Sequence, residues 1–129
     1  MGTVTTAALP EISGLVGNSG SKTAFTYLAT GTGTTAESAA HTALVTEITD
    51  SGLERSTGTL TLEDTTHTDD TLQIVKTWTA SGTKTVAEVG MFNGSSGGTM
   101  AFREKLSTAK SLVSGDTYTL TAALIFVDA

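Results

Sequence analysis

From residue 53 onward, apolar and polar side chains alternate with the period of two that a half-buried strand requires. Leu53 to Glu63 sets Thr57, Thr59 and Thr61 on one face against Leu60 and Leu62 on the other. Thr71 to Ala80 gathers Leu72, Ile74, Trp78 and Ala80, with Lys76 interrupting. The polar run from Asp64 to Asp70 joins these two strands as a turn. Thr83 to Phe92 and Thr99 to Leu106, linked by the turn Asn93–Gly98, read as a hairpin. After Ser114-Gly115-Asp116, a long alternating strand places Tyr118, Leu120, Ala122, Leu124 and Phe126 on one face. Upstream, Ala24 to Thr30 has the β-branched and aromatic content of a strand, with Phe25 and Tyr27 on one face, and runs into a loop at Gly31–Thr35.

One stretch has helical character. Ala39, Ala40 and Ala43 have high helix propensity, Ala40, Leu44 and Ile48 fall near helical spacing, and Thr35 is placed to cap them, so a short helix is expected within Ala36 to Ile48. Residues 1–23 hold short apolar clusters, Ala8-Leu9-Pro10-Glu11-Ile12 and Leu15-Val16, followed by the flexible run Gly17–Ser21. They form either a frayed tail or an extended docking arm, and the apolar clusters are what favour docking. Strands spaced by turn signals predict an all-β chain: a single-domain antiparallel β-sandwich, jelly-roll-like, with one short helix. The expected division is an N-terminal arm, 1–23, and a β-sandwich domain, 24–129.

Composition agrees with sheet. Threonine is about one residue in five, and its branched Cβ sits more comfortably on a pleated strand than in a helix. With 129 residues there is room for one core. Thirteen acidic against seven basic residues give a net charge of −6, and basic residues spread singly along an acidic chain cannot form the stripe that displaces counterions from nucleic acid. No nucleic-acid partner is expected. The chain has no cysteine, which removes disulfides, thiolate metal sites and a Cys nucleophile. Its longest apolar stretch, Ala122 to Val127, is far short of the roughly 20 residues a membrane helix needs. The N-terminus lacks the pattern of a secretory signal, so no membrane partner and synthesis in a cytoplasm are expected.

Candidate chemistry is sparse. Thr30-Gly31-Thr32-Gly33-Thr34-Thr35 has the glycines of an anion-cradling loop, but no Gly-Lys-Ser/Thr ending and no parallel α/β context, so it reads as a strand-ending loop. Glu63, Asp64, His67, Asp69 and Asp70 could in principle hold a cation, yet they lack the spacing and central glycine of a calcium loop and read as a solvated turn. His41 has no companion ligand at a metal-binding spacing. Glu37, Glu47, Glu88 and Glu104 are the carboxylates a glycoside hydrolase would draw on, but they lie in segments without a pocket-forming aromatic cluster. The aromatics Phe25, Tyr27, Trp78, Phe92, Phe102, Tyr118 and Phe126 fall mostly on apolar strand faces and are expected in the core. No catalytic residue, cofactor or metal is expected, and the chain is not expected to be an enzyme.

Three stretches in order carry a resemblance: Phe25 to Ala36 with its Gly-Thr-Gly-Thr-Thr, Val86 to Arg103 with Gly-Met-Phe-Asn-Gly, and Ser114 to Thr121 opening on Ser-Gly-Asp. Over residues 24–127 the chain resembles a family of small structural proteins of tailed bacteriophages, some of them head decoration proteins and others tail or fibre components. The resemblance implies a virion structural protein. A compact domain without visible repeats, preceded by an apolar arm, suits a capsid decoration (cement) protein on the outer head surface, bound to the major capsid protein and self-associated as a trimer. Leu9, Pro10, Ile12, Leu15 and Val16 are then the expected assembly contacts. The alternative is a tail, baseplate or fibre-associated protein with a receptor- or glycan-binding role, using the loops 64–70 and 93–98.

Overall fold

A computed structural model describes residues 2–128; Met1 and Ala129, the outer ends of the expected arm and domain, lie outside the described residues. In chain order the elements are β1 (Thr3–Val4), α1 (Ala8–Val16), β2 (Tyr27–Gly31), β3 (Ser56–Thr57), β4 (Thr59–Glu63), β5 (Thr71–Thr79), β6 (Lys84–Phe92), β7 (Met100–Leu112) and β8 (Thr117–Ile125). They form two antiparallel sheets. A five-stranded sheet runs β1-β7-β6-β2-β3 and a three-stranded sheet runs β4-β5-β8. The fold is all-β and sandwich-like, as the alternation predicts, and carries one short helix among the described residues.

The period-two pattern sets what each sheet buries. In the small sheet Ile74 pairs with Ala122, Leu72 with Leu124 and Trp78 with Tyr118, so these side chains share one face. Ile74, Trp78, Leu120 and Ala122 meet Leu28, Val86, Val89 and Met91 of the large sheet in the main core. Trp78 lies with its ring centroid 6.3 Å from that of Tyr118 and donates its indole N–H to the Glu54 carbonyl at 2.8 Å, which satisfies its one polar group. The opposite face of the small sheet is rich in threonine: Thr59 and Thr61 on β4, Thr77 and Thr79 on β5, Thr117, Thr119 and Thr121 on β8, with Gln73, Val75, Ala123 and Ile125 among them. It faces solvent, and the Thr77 and Thr119 hydroxyls bond each other at 2.7 Å.

The expected strand over Leu53 to Glu63 is two strands in two sheets. β3 pairs with β2 and β4 with β5, with Gly58 at the crossing. A Cβ on Gly58 would lie 2.5 Å from Ile74 Cγ2 and 2.8 Å from the Val75 carbonyl oxygen, so the close approach requires glycine.

The expected helix between Ala36 and Ile48 is absent; residues 32–46 are irregular. The one helix among the described residues is α1, inside the segment expected to be extended. Pro10 is its third residue, where no intrahelical N–H bond is lost. Ala8 is fully buried and Ile12 packs on the main core, while the chain before the helix adds β1 to β7 through Thr3↔Arg103 and Val4↔Phe102. Alanine propensity at 39–43 is a few tenths of a kcal/mol per residue, and a stronger demand on residues 33, 45 and 46 overrides it.

Ile74→Ala, at a fully buried centre of the core, is expected to lower unfolding stability by about 2–5 kcal/mol. Leu62→Ala, 61% exposed on β4, is expected to change it by less than about 0.5 kcal/mol. Urea unfolding followed by fluorescence of the single tryptophan, Trp78, measures both.

Candidate functional site

β6 is buried continuously from Val86 to Phe92, and that run contains one charged residue, Glu88. Its side chain and that of Arg103 on β7 are both fully buried, with Arg103 Nε 2.8 Å from Glu88 Oε1. The other donors are backbone amides: Val45 N–H gives to Oε1 at 2.9 Å, and Gly33 and Thr46 N–H give to Oε2 at 2.8 Å each. A carboxylate so supplied can stay ionised inside a protein. A Cβ on Gly31 would lie 2.7 Å from Glu88 Oε2, and one on Gly33 would collide with the same oxygen. The Gly-Thr-Gly spacing therefore serves an anion after all, and the anion is the protein's own carboxylate.

Burial pushes the Glu88 carboxyl up, but the Arg103 guanidinium and the amides of Thr46, Val45 and Gly33 outweigh it and hold the group below its ordinary value. The two terminal nitrogens of Arg103 are buried without a hydrogen-bond partner among the described residues. Over this pair lies the segment 32–48. Leu44 closes a second, smaller core with Ala29, Phe92 and Met100 on the outer face of the large sheet, with Tyr27 at its margin.

Arg55 does comparable work at the other end of that face. It donates to both oxygens of Glu47, from Nε at 3.0 Å and Nη2 at 2.6 Å, and from Nη1 to the carbonyls of Gly94 and Gly97. Its guanidinium carbon stands 3.6 Å from the Phe92 ring centroid. The turn 93–98 is thereby tied down. Neither Arg55 nor Arg103 stands out by sequence motif. The usable signal is a charged residue beside or within an apolar strand segment, as in Ala101-Phe102-Arg103 and Ala87-Glu88-Val89, where an unpaired charge would be untenable.

The acidic turn 64–70 is organised by its own backbone. Asp70 accepts the N–H groups of Thr65, Thr66 and His67, each at 2.8 Å, and Asp64 accepts that of Asp69. Among the described residues no three His, Asp or Glu side chains converge as a metal-ligand set. The four glutamates singled out in the sequence are held by different partners. Glu88 is sealed, Glu47 is bound to Arg55, Glu37 accepts the Lys105 N–H at 2.7 Å, and Glu104 lines a groove between the sheets. His41 is half-buried in the irregular segment. Phe25, Trp78, Phe92 and Phe102 are buried, whereas Phe126, past the end of β8, is 53% exposed.

Of the expected contact residues, Leu9, Pro10, Leu15 and Val16 are exposed on α1, and Ile12 is half-buried against the core. A groove of about 340 Å³ opens between the two sheets, lined by Val4, Phe102, Leu120, Ala122 and Leu124 together with Glu104. Comparison with models of known protein families, with curated proteins and with solved structures found no match to this chain.

Glu88→Gln removes one partner of a buried pair and is expected to cost about 3–5 kcal/mol of stability, measured by urea unfolding. Because the folded carboxyl titrates below its unfolded value, the unfolded chain binds more protons as pH falls through the carboxylate range. The Glu88 contribution is therefore present above that range and lost as pH drops toward the folded value. The slope of stability against pH is expected to be shallower in the Gln variant. The Asp70 carboxyl, held at about 2 chiefly by the His67 amide, is expected to titrate there by NMR, with the amide signals of Thr65, Thr66 and His67 moving in step.

Proposed function

We propose that this chain is a structural protein of a tailed-bacteriophage particle: a capsid decoration (cement) protein that binds the major capsid protein on the outer surface of the head. It occurs in many copies, with three-fold closure the order that a quasi-threefold shell position asks for. The observation that carries this reading is the N-terminal segment. α1 is fixed to the body by buried Ala8 and by Ile12, yet it holds Leu9 at 56% and Val16 at 84% exposure with Leu15 between them. Apolar side chains on a rigid, body-anchored helix support docking to another protein better than they support a solvated tail. The ordered resemblance in the three stretches supports the same class.

A role at the tail tip, against a receptor or glycan, is favoured by a different observation. The turns 64–70 and 93–98 are both held by internal hydrogen bonds to Asp70 and Arg55, which makes them preorganised contact surfaces.

Cryo-EM of the parent particle is expected to show the chain in trimers on the head lattice with α1 against the coat protein. Density at the tail or baseplate would overturn the cement role. In a binding assay with expanded capsids, Leu9→Asp combined with Val16→Asp is expected to weaken capture more than tenfold while leaving the unfolding midpoint near its original value. Unchanged capture would remove α1 from the interface.

A further inference from the structure

The edges of the two sheets are protected unequally. β1 and β3 are two residues each, and β4 has five and ends at Glu63 next to Asp64. The part of β7 that runs past β1 carries Lys105 and Lys110 and is distorted where Leu106–Ala109 bulge against Ala87. Short length, charge and bulges are the devices that keep strand edges from pairing with other chains. β8 has none of them. It is nine residues long, Thr117–Ile125, contains no charge, proline or glycine, and pairs in unbroken register with β5 on one side. Among the described residues no strand lies on its other side.

We infer that β8 is a self-association edge, pairing antiparallel with β8 of a second copy across a two-fold axis at Thr121. A row of unpaired backbone N–H and C=O groups about 30 Å long is complemented by another strand, and this strand's own sequence complements it. With Thr121 opposite its own copy, Leu120 faces Ala122, Tyr118 faces Leu124, Thr119 faces Ala123 and Thr117 faces Ile125 of the second copy. The inner face stays apolar, the outer face keeps its threonines, and no like charges are apposed. The small sheet becomes six strands, an ordinary sheet size. Pairing also brings the inner-face Tyr118 and Leu124 of the two copies together beside the mouth of the groove lined by Leu120, Ala122 and Val4. This contact is separate from three-fold closure on a shell, and it holds whether or not the virion reading does.

The chain has no native cysteine, so Thr121→Cys gives a clean probe. Opposed Cα atoms in an antiparallel pair are about 4.5–5.5 Å apart, within disulfide reach. Mild oxidation of the full chain is expected to convert the Thr121→Cys variant to a covalent dimer, and to leave Thr61→Cys, on the exposed β4 edge, without a covalent crosslink. By light scattering the native chain is expected at about twice its 13.1 kDa mass, falling to one in Thr121→Lys with the Trp78 fluorescence of the folded state retained. Crosslinking through residue 61 but not 121 would overturn the two-fold contact. So would a native chain of one copy, or a three-copy mass that Thr121→Lys leaves unchanged.

Discussion

The structure turns on keeping one carboxylate charged out of reach of bulk solvent. Glu88 sits in the continuously buried run of β6, and its ionised form survives there because four donors meet it from two directions. Arg103 comes from the neighbouring strand. The three amides come from the segment that leaves β2 and returns to β3. The ion pair thus fixes how β7 lies on β6 and also how residues 32–46 fold back over the sheet. Without that segment the outer face of the large sheet, with Phe92 and Met100, would lie open to solvent.

The two sheets are consequently unlike. The large sheet is covered on both faces, by the small sheet on one side and by the irregular segment on the other. The small sheet is covered on one, and its free face is a threonine-rich surface whose methyl groups tolerate burial and whose hydroxyls tolerate water. Surfaces of this kind take partners without demanding them. The exposed leucine and valine of α1 and the unguarded edge of β8 are more committed features, and they lie outside the electrostatic centre.

Much of the architecture is legible in side-chain period, because strands that are half buried must alternate. Ile74, Trp78, Leu120 and Ala122 are expected on inward faces and lie there, and the β6–β7 hairpin falls where its glycine-rich turn predicts. The threonine-rich strand at 53–63 hides a change of sheet, since Thr57 and Thr59 look alike while pairing with different partners. Alternation reports burial and says nothing about which sheet does the burying. The helix lies elsewhere than propensity places it for a related reason. Propensity at Ala39–Ala43 is local, whereas the Glu88 carboxylate draws the amides of Val45 and Thr46 from 43 and 42 residues away. Glu88 itself is set aside in sequence, with Glu37, Glu47 and Glu104, as a carboxylate without a pocket-forming aromatic cluster beside it. Its lone charge amid Val86, Ala87, Val89 and Met91 hints at an internal partner, but nothing local names Arg103.

The separation of Glu88 from its amide donors also bears on the order in which the fold can assemble. The β6–β7 hairpin closes a short turn and can form early, whereas Gly33 reaches Glu88 across 55 residues, a contact whose loop-closure entropy delays it. Until residues 33–46 dock, the carboxylate faces water on an uncovered sheet and costs nothing to keep charged. Docking strips that water, and the three amides and the guanidinium take its place. A chain in which residues 33–46 were not docked would therefore leave a charge without its amides and a second apolar layer, Ala29, Phe92 and Met100, uncovered together.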